Sequence, residues 1–203
     1  MGPAVFLDEQ SGPLEPRNIY GLTKLAAEGL CRIFHLERGL ACVVLRTARF
    51  FPEEDDSEHG LSGQNLKANE LLFRRLSVED AARAHVLALE RAEELGFDLF
   101  VLSAPTPFQR CDAEALGNDA ESVVRRYFPQ AAALYARVGW TLPERIGRVY
   151  LSARAQRVLG LRFEEDFGKV LEALEKGGPL PFSHEADYRS PVDAVPSDAF
   201  YGR

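Results

Sequence analysis

The chain has 203 residues, 46% of them hydrophobic and 27% charged, which suits one domain with an apolar core and excludes a disordered or collagen-like protein. Its 31 acidic and 24 scattered basic residues leave a net charge of −7, against the footprint expected of a nucleic-acid binder. No apolar run has membrane-spanning length, no signal-peptide core or myristoylation signal opens the chain, and Cys31, Cys42 and Cys111 include no C-x-x-C. The expectation is a cytoplasmic protein with reduced thiols, no metal site and no membrane or nucleic-acid partner.

In chain order, residues 1–18 read as loop, with Gly2-Pro3, Gly12-Pro13 and Pro16 as breakers. Asn18 can cap a helix over 19–38, closed by Gly39. Within it Leu22, Leu25, Ala26, Gly29, Leu30, Ile33 and Phe34 recur at the spacing of one buried face. The apolar, β-branched run 41–45 then predicts a strand buried on both sides, as in a parallel sheet. An acidic loop follows at 53–59. Ser77-Val78-Glu79-Asp80 resembles a capping box that opens a helix stopped at Gly96, and 99–103 reads as a second strand. Helices are expected at 112–116, 119–128, 152–159 and 164–176, with a proline-marked tail beyond Gly177. The fold class is α/β, with more helix than strand.

Tyr20 and Lys24 stand one helical turn apart, almost opposite the apolar stripe, so core packing does not account for them. Lys is also scarce, supplying four of the 24 basic residues. A tyrosine beside a fixed ammonium can give up its phenolic proton near neutral pH and serve as acid or base toward a hydroxyl or carbonyl. The plainer alternative is an aromatic at a helix start with a solvated lysine one turn on, because Y-x-x-x-K alone is a weak signal.

Context strengthens the chemical reading. The run Pro16-Arg17-Asn18-Ile19-Tyr20-Gly21-Leu22-Thr23-Lys24-Leu25-Ala26-Ala27-Glu28 resembles the catalytic segment of extended short-chain dehydrogenase/reductases, the NAD-dependent epimerase/dehydratase family. Val43-Val44-Leu45-Arg46-Thr47 looks like that family's sixth strand, and Val78-Glu79-Asp80-Ala81-Ala82-Arg83-Ala84 like its V-x-D-x-x-x-A helix. Leu99-Phe100-Val101-Leu102-Ser103 looks like the strand that returns to the sheet. The resemblance runs from residue 3 to about 175. It implies the C-terminal portion of a Rossmann-type NAD(P)-binding fold with a mostly helical substrate-binding region.

By the same resemblance Tyr20 is the acid/base, and Lys24 holds the nicotinamide ribose and tunes the tyrosine. Thr47 and Ala48 match positions on the nicotinamide side of the cofactor. Arg49 falls where many members carry a substrate-contacting asparagine, and Arg74 and Arg75 lie where the family faces substrate. Guanidinium groups there suit a phosphate or carboxylate. The implied domains are a Rossmann remnant over 1–52, a substrate region over 53–180 with 77–103 returning to the Rossmann sheet, and an extended tail over 181–203.

One feature of the family is missing from the sequence. A dinucleotide site needs a glycine-rich turn whose amides meet the pyrophosphate, yet no G-x-G-x-x-G occurs, and Gly60-Leu61-Ser62-Gly63 is the nearest approach. Ser11, in a proline-rich loop, is a poor match to the family's catalytic serine or threonine. The expectation is a C-terminal part that lacks the N-terminal dinucleotide-binding half, binds NAD or NADP weakly or not at all alone, and leaves its first helix short of neighbours.

Other candidates read as structural. His59 in the acidic loop fits no metal-ligand spacing, His85 sits on a mostly apolar helix, and His35 and His184 have no recognisable partners. Phe50-Phe51-Pro52 suits packing better than a pocket, and Phe182 and Tyr201 could reach a partner subunit. Two functional classes stay open. One is an epimerase/dehydratase-type oxidoreductase acting on a hydroxyl-bearing carbon, such as that of a nucleotide sugar. The other is a non-catalytic substrate-binding or dimerisation module derived from that family, and a homodimer is compatible with either.

Overall fold

Capping chemistry sets the first helix. In the computed structural model, which describes residues 2–50 and 61–182, the Asn18 side chain accepts from the Gly21 N–H, and Gly39 closes helix α1 (Ile19–Arg38) in the left-handed conformation at φ 65°. Strand β2 (Cys42–Thr47) follows. Ser77 caps helix α3 (Val78–Leu95) by accepting from the Asp80 N–H, and Gly96 turns the chain into strand β3 (Phe97–Leu102). β2 and β3 pair in parallel, Cys42 opposite Phe97 through Thr47 opposite Leu102, with α3 as the crossover.

The outer edge of β3 is closed by side chains rather than by another strand. The Leu99 N–H donates to Asp98 Oδ1 at 2.7 Å, the Leu99 carbonyl accepts from Arg154 Nη1 at 2.9 Å, and the Val101 N–H donates to Glu9 Oε1 at 2.9 Å. The far edge of β2 pairs with no described strand.

A second parallel pair corrects the loop expected over 1–18. Val5–Leu7 forms strand β1, in register with strand β4 (Arg148–Tyr150). Each is three residues long, too short for an alternating pattern to show. Between these strands come helices α2 (Gly63–Glu70), α4 (Ala113–Asn118), α5 (Ala120–Tyr127) and α6 (Ala131–Arg137), and α7 (Phe167–Lys176) follows β4. A 3₁₀ turn, Arg110–Asp112, leads into α4. The helix expected over 152–159 is mainly a π-helical turn at Ala155–Leu159, ended by Gly160 at φ 72°.

Two apolar cores result. One gathers Phe6, Leu72, Val124, Tyr135, Val149 and Phe167 from β1, α5, α6, β4, α7 and the turn after α2. The other packs Ala84, Phe100, Leu102, Leu159 and Leu161 around α3, β3 and the π turn, with Phe50 half-buried against it. Asp80 bridges between their elements. Fully buried, it accepts from Arg83 Nη1 at 2.8 Å and from the Glu164 and Glu165 N–H groups at 3.1 and 3.2 Å, fixing the turn that enters α7.

The apolar face expected for α1 is not buried. No residue of the helix is. Leu22, Leu30, Ile33 and Phe34 stand 58%, 56%, 49% and 54% exposed, and only Gly21, Leu25, Glu28, Cys31 and His35 are half-buried. That second stripe rests on the sheet: Glu28 pairs with Arg46, and the His35 ring lies 5.9 Å from Phe97. The hydrophobic spacing is present, but no described element covers that face. The acidic loop at 53–59 with His59, along with Phe51, Pro52, His184 and Tyr201, lies outside the described residues. No helix among the described residues is long and apolar enough to cross a membrane.

Candidate functional site

The stripe of α1 that faces the sheet also walls an open cavity of about 1090 Å³, lined elsewhere by the loop 8–18, β2 and β4. Lys24 lies on its wall, one turn before Glu28. Glu28 accepts from Arg46 Nε at 2.8 Å and Nη2 at 2.6 Å, a bidentate fork that fixes helix against strand. Thr47, the last residue of β2, opens onto the same space. In parallel α/β sheets ligands bind beyond the carboxyl ends of the strands, and Thr47 occupies that position.

Tyr20 lies at the start of α1 and is 70% exposed. Lys24 Nζ stands over its ring, 5.4 Å from the centroid, the contact that the one-turn spacing makes available. Lys24 thus joins Tyr20 to the cavity, although Tyr20 does not itself line it. Ala48 is buried in the second core, with its N–H on the Leu102 carbonyl at 2.8 Å, so it contributes backbone and shape.

Arg49, Arg74 and Arg75 converge, but on a carboxylate that sequence reasoning did not single out. Glu70, fully buried at the end of α2, accepts from Arg49 Nη1 at 3.1 Å, Arg74 Nη2 at 2.9 Å and Arg75 Nη1 at 3.0 Å. The i,i+4 spacing of Glu70 and Arg74 was the available signal. Arg75 is nearly inaccessible, whereas the Arg49 side chain keeps 39% of its surface. None of the three lines the cavity that Lys24 and Thr47 share.

Ser11 does line it. Its hydroxyl donates to Asp8 Oδ1 at 2.9 Å and accepts from the Asp8 N–H at 2.9 Å, while Arg110 Nη2 reaches Asp8 Oδ2 at 3.0 Å. The Ser11 hydroxyl, above all, holds the Asp8 carboxyl below its usual range. A second carboxylate, Asp112, binds the Tyr127 hydroxyl at 2.7 Å, the Gln109 N–H at 2.8 Å and Arg126. Burial opposes its ionisation, but those bonds outweigh burial and its carboxyl also falls below the usual range. His85 is exposed, its Nδ1 2.7 Å from the Ala81 carbonyl. Among the described residues no cluster of three or more His, Cys, Asp or Glu is placed to hold a metal ion.

The residues fit a dinucleotide at one end only. Lys24 and Thr47 offer an ammonium and a hydroxyl suited to a ribose. The pyrophosphate end has no counterpart among the described residues: the sequence lacks the glycine-rich turn, and the first turn of α1 is already capped by Asn18.

Comparison with known proteins agrees with this picture. The model of the NAD dependent epimerase/dehydratase family matches residues 2–101. Among solved structures, UDP-N-acetylglucosamine 4-epimerase from Bacillus cereus aligns at 18% identity and a TM-score of 0.52, over 84% of this chain and 56% of that one. UDP-glucuronic acid 4-epimerase from Bacillus cereus, in complex with UDP-glucuronic acid and NAD, aligns at 18% identity and a TM-score of 0.51, over 87% and 57%. These likenesses establish the fold, and the chain spans a little over half the length of the structures it matches. No curated protein matches it. Residues 2–101, the segment that carries Tyr20, Lys24 and Thr47, are thus the part of the chain that matches the NAD dependent epimerase/dehydratase family.

Proposed function

We propose that this chain is the substrate-side portion of an NAD(P)-dependent epimerase/dehydratase-type oxidoreductase acting on a hydroxyl-bearing carbon of a nucleotide sugar. The observation that carries the reading is Lys24 stacked on Tyr20 while lining, with Thr47, the cavity at the carboxyl end of β2. In this reading Tyr20 exchanges a proton with the substrate hydroxyl and Lys24 orients it electrostatically. Thr47 and the backbone at Ala48 face the nicotinamide side. Arg49, with Arg74 and Arg75 behind it, offers positive charge to an anionic part of the substrate. NAD or NADP would supply the hydride chemistry, and its pyrophosphate cradle would come from outside these 203 residues.

The exposure of Tyr20 and the missing cradle favour a second reading, a non-catalytic module that keeps substrate binding or pairs as a homodimer. A cytoplasmic setting goes with both. The test is titration of the chain with a UDP-sugar by ligand-observed NMR, followed by a turnover assay with added NAD. Binding weakened about tenfold by Arg49→Ala supports the substrate assignment. With the cradle-bearing half supplied, turnover abolished by Tyr20→Phe selects the enzyme, and binding without turnover selects the module. No binding of any UDP-sugar overturns the enzyme and the substrate-binding form of the module.

A further inference from the structure

The face of the β1–β4 pair turned away from the first core forms one wall of the cavity. Strand alternation buries Phe6 and Val149 and turns Val5, Leu7, Arg148 and Tyr150 to the other side. Those four line the cavity, and Phe6 and Val149 do not. Arg148 thus meets the space from β4. Arg17, just ahead of the Asn18 cap, and Lys24, on α1, meet it from other elements.

The charges on this lining are unevenly matched. Glu28 is engaged by Arg46, and Asp8 by Ser11 and Arg110. Arg17 and Arg148 are exposed and pair with no carboxylate among the described residues, and Lys24 has only the ring of Tyr20. Glu15 is the one lining carboxylate without a partner among the described residues. Three unengaged cations therefore share the space with one unengaged carboxylate, in a chain of net charge −7. Arg49, Arg74 and Arg75, by contrast, stand on Glu70 outside the cavity. Like charges around one space repel, and an oxoanion placed among them relieves that repulsion while meeting the planar fork of a guanidinium.

We propose that the sugar handled beside Tyr20 and Lys24 carries a carboxylate, and that Arg17 and Arg148 hold it. The proposal rests on the nucleotide-sugar reading above. In that reading the diphosphate meets Arg49, outside the cavity, and the remaining anionic group such a ligand can carry is a carboxylate on its sugar. The acidic sugar occupies the cavity with its carboxylate toward Arg17 and Arg148 and its hydroxyl-bearing carbon toward Tyr20. A neutral sugar leaves both guanidinium groups to water, so the two arginines discriminate between sugars and take no part in the proton exchange.

The test titrates the purified 203-residue chain with UDP-glucuronate and with UDP-glucose by ligand-observed NMR. The two ligands differ only in a carboxylate against a hydroxymethyl group on the hexose, so the ratio of their dissociation constants reads the carboxylate alone. UDP-glucuronate should bind about tenfold more tightly. Because both arginines are exposed, Arg17→Ala or Arg148→Ala should each cut that preference to about threefold, and the double variant should abolish it. Arg49→Ala should weaken both ligands alike and leave their ratio unchanged. Equal binding of the two ligands by the parent chain overturns the proposal and leaves the nucleotide-sugar reading standing, and that comparison needs no variant to fold. A preference that survives the double variant, with its fold checked by circular dichroism, also overturns it. So does an equal loss for both ligands in the Arg17 and Arg148 variants, which would assign these arginines to the diphosphate. Binding of neither ligand overturns the nucleotide-sugar reading, and the proposal falls with it.

Discussion

Asp80→Ala tests the fastening of α3 to the turn that enters α7. The carboxylate is fully buried and has three donors: Arg83 Nη1 at 2.8 Å, the Glu164 N–H at 3.1 Å and the Glu165 N–H at 3.2 Å. A hydrogen bond to a charged group contributes about 1.5–3 kcal/mol when its partners are shielded from water. Here Glu164 is exposed and Arg83 a third exposed, so water can satisfy part of what alanine leaves open. The net loss should therefore be about 3 kcal/mol, the lower end of what removing one partner of a buried ion pair costs. With a urea m-value of about 2 kcal/mol/M, the unfolding midpoint should fall by about 1.5 M. The helix cap is untouched, because Ser77 bonds the Asp80 backbone N–H and not its side chain. Arg83→Ala should cost only about 1 kcal/mol, since the two N–H bonds remain. An Asp80→Ala midpoint within about 0.3 M of the parent would refute the reasoning, as would an Arg83→Ala loss equal to it.

Three further outcomes follow from the geometry. Ile33→Lys and Phe34→Glu on α1 should change stability by less than about 0.5 kcal/mol and reduce binding of an apolar dye; losses above about 2 kcal/mol on urea unfolding would show those side chains to be buried. Gly117→Ala should destabilise by about 1–3 kcal/mol, because its new Cβ would come within 2.4 Å of the Gly2 carbonyl oxygen, which is backbone and must shift. A thermal melt checks it, and an unchanged Tm would contradict the contact. The Asp8 and Asp112 carboxyls sit below their ordinary values in the folded chain, so the unfolded chain binds protons first as pH falls. Their contribution is full above the ordinary carboxylate range and is lost as pH drops through the lowered values. Tm should decline from about pH 4 downward, and Asp112→Asn should flatten that decline.

What the sequence made legible was what local chemistry controls. Asn18, Gly39, Ser77 and Gly96 mark the ends of α1 and α3 because a cap needs only neighbours within a turn. Apolar runs marked β2 and β3, although β2 is half-buried and not buried on both sides as expected, because no described strand covers its far edge. The short strands β1 and β4 hold each other across more than 140 residues, and three residues carry no readable period. Helix α2 was missed because its first turn is polar and its burial comes from tertiary packing: Asn65 and Asn69 both donate to the Thr141 carbonyl, at 2.9 and 3.1 Å. On α1 the apolar period was visible, but a period says which residues share a face and not whether anything covers it.

The site follows the same division. Spacing singles out Tyr20 and Lys24 and the family resemblance Thr47, and the fold places Lys24 and Thr47 on one cavity. Arg49, Arg74 and Arg75 were found as charges. Their convergence on Glu70 was hidden, since the partner of a buried ion network is set by the meeting of β2, α2 and the segment before α3.

The most direct measurement is a titration of the purified 203-residue chain with NADH, following nicotinamide fluorescence, with circular dichroism on the same sample to establish that it is folded. In the proposed reading Lys24 and Thr47 address one end of the dinucleotide, and no described residue cradles its pyrophosphate. The folded chain should therefore leave NADH fluorescence without a saturable change up to about millimolar concentration. Stoichiometric, saturable binding at micromolar NADH would contradict it, because these residues would then build a complete dinucleotide site without the glycine-rich turn.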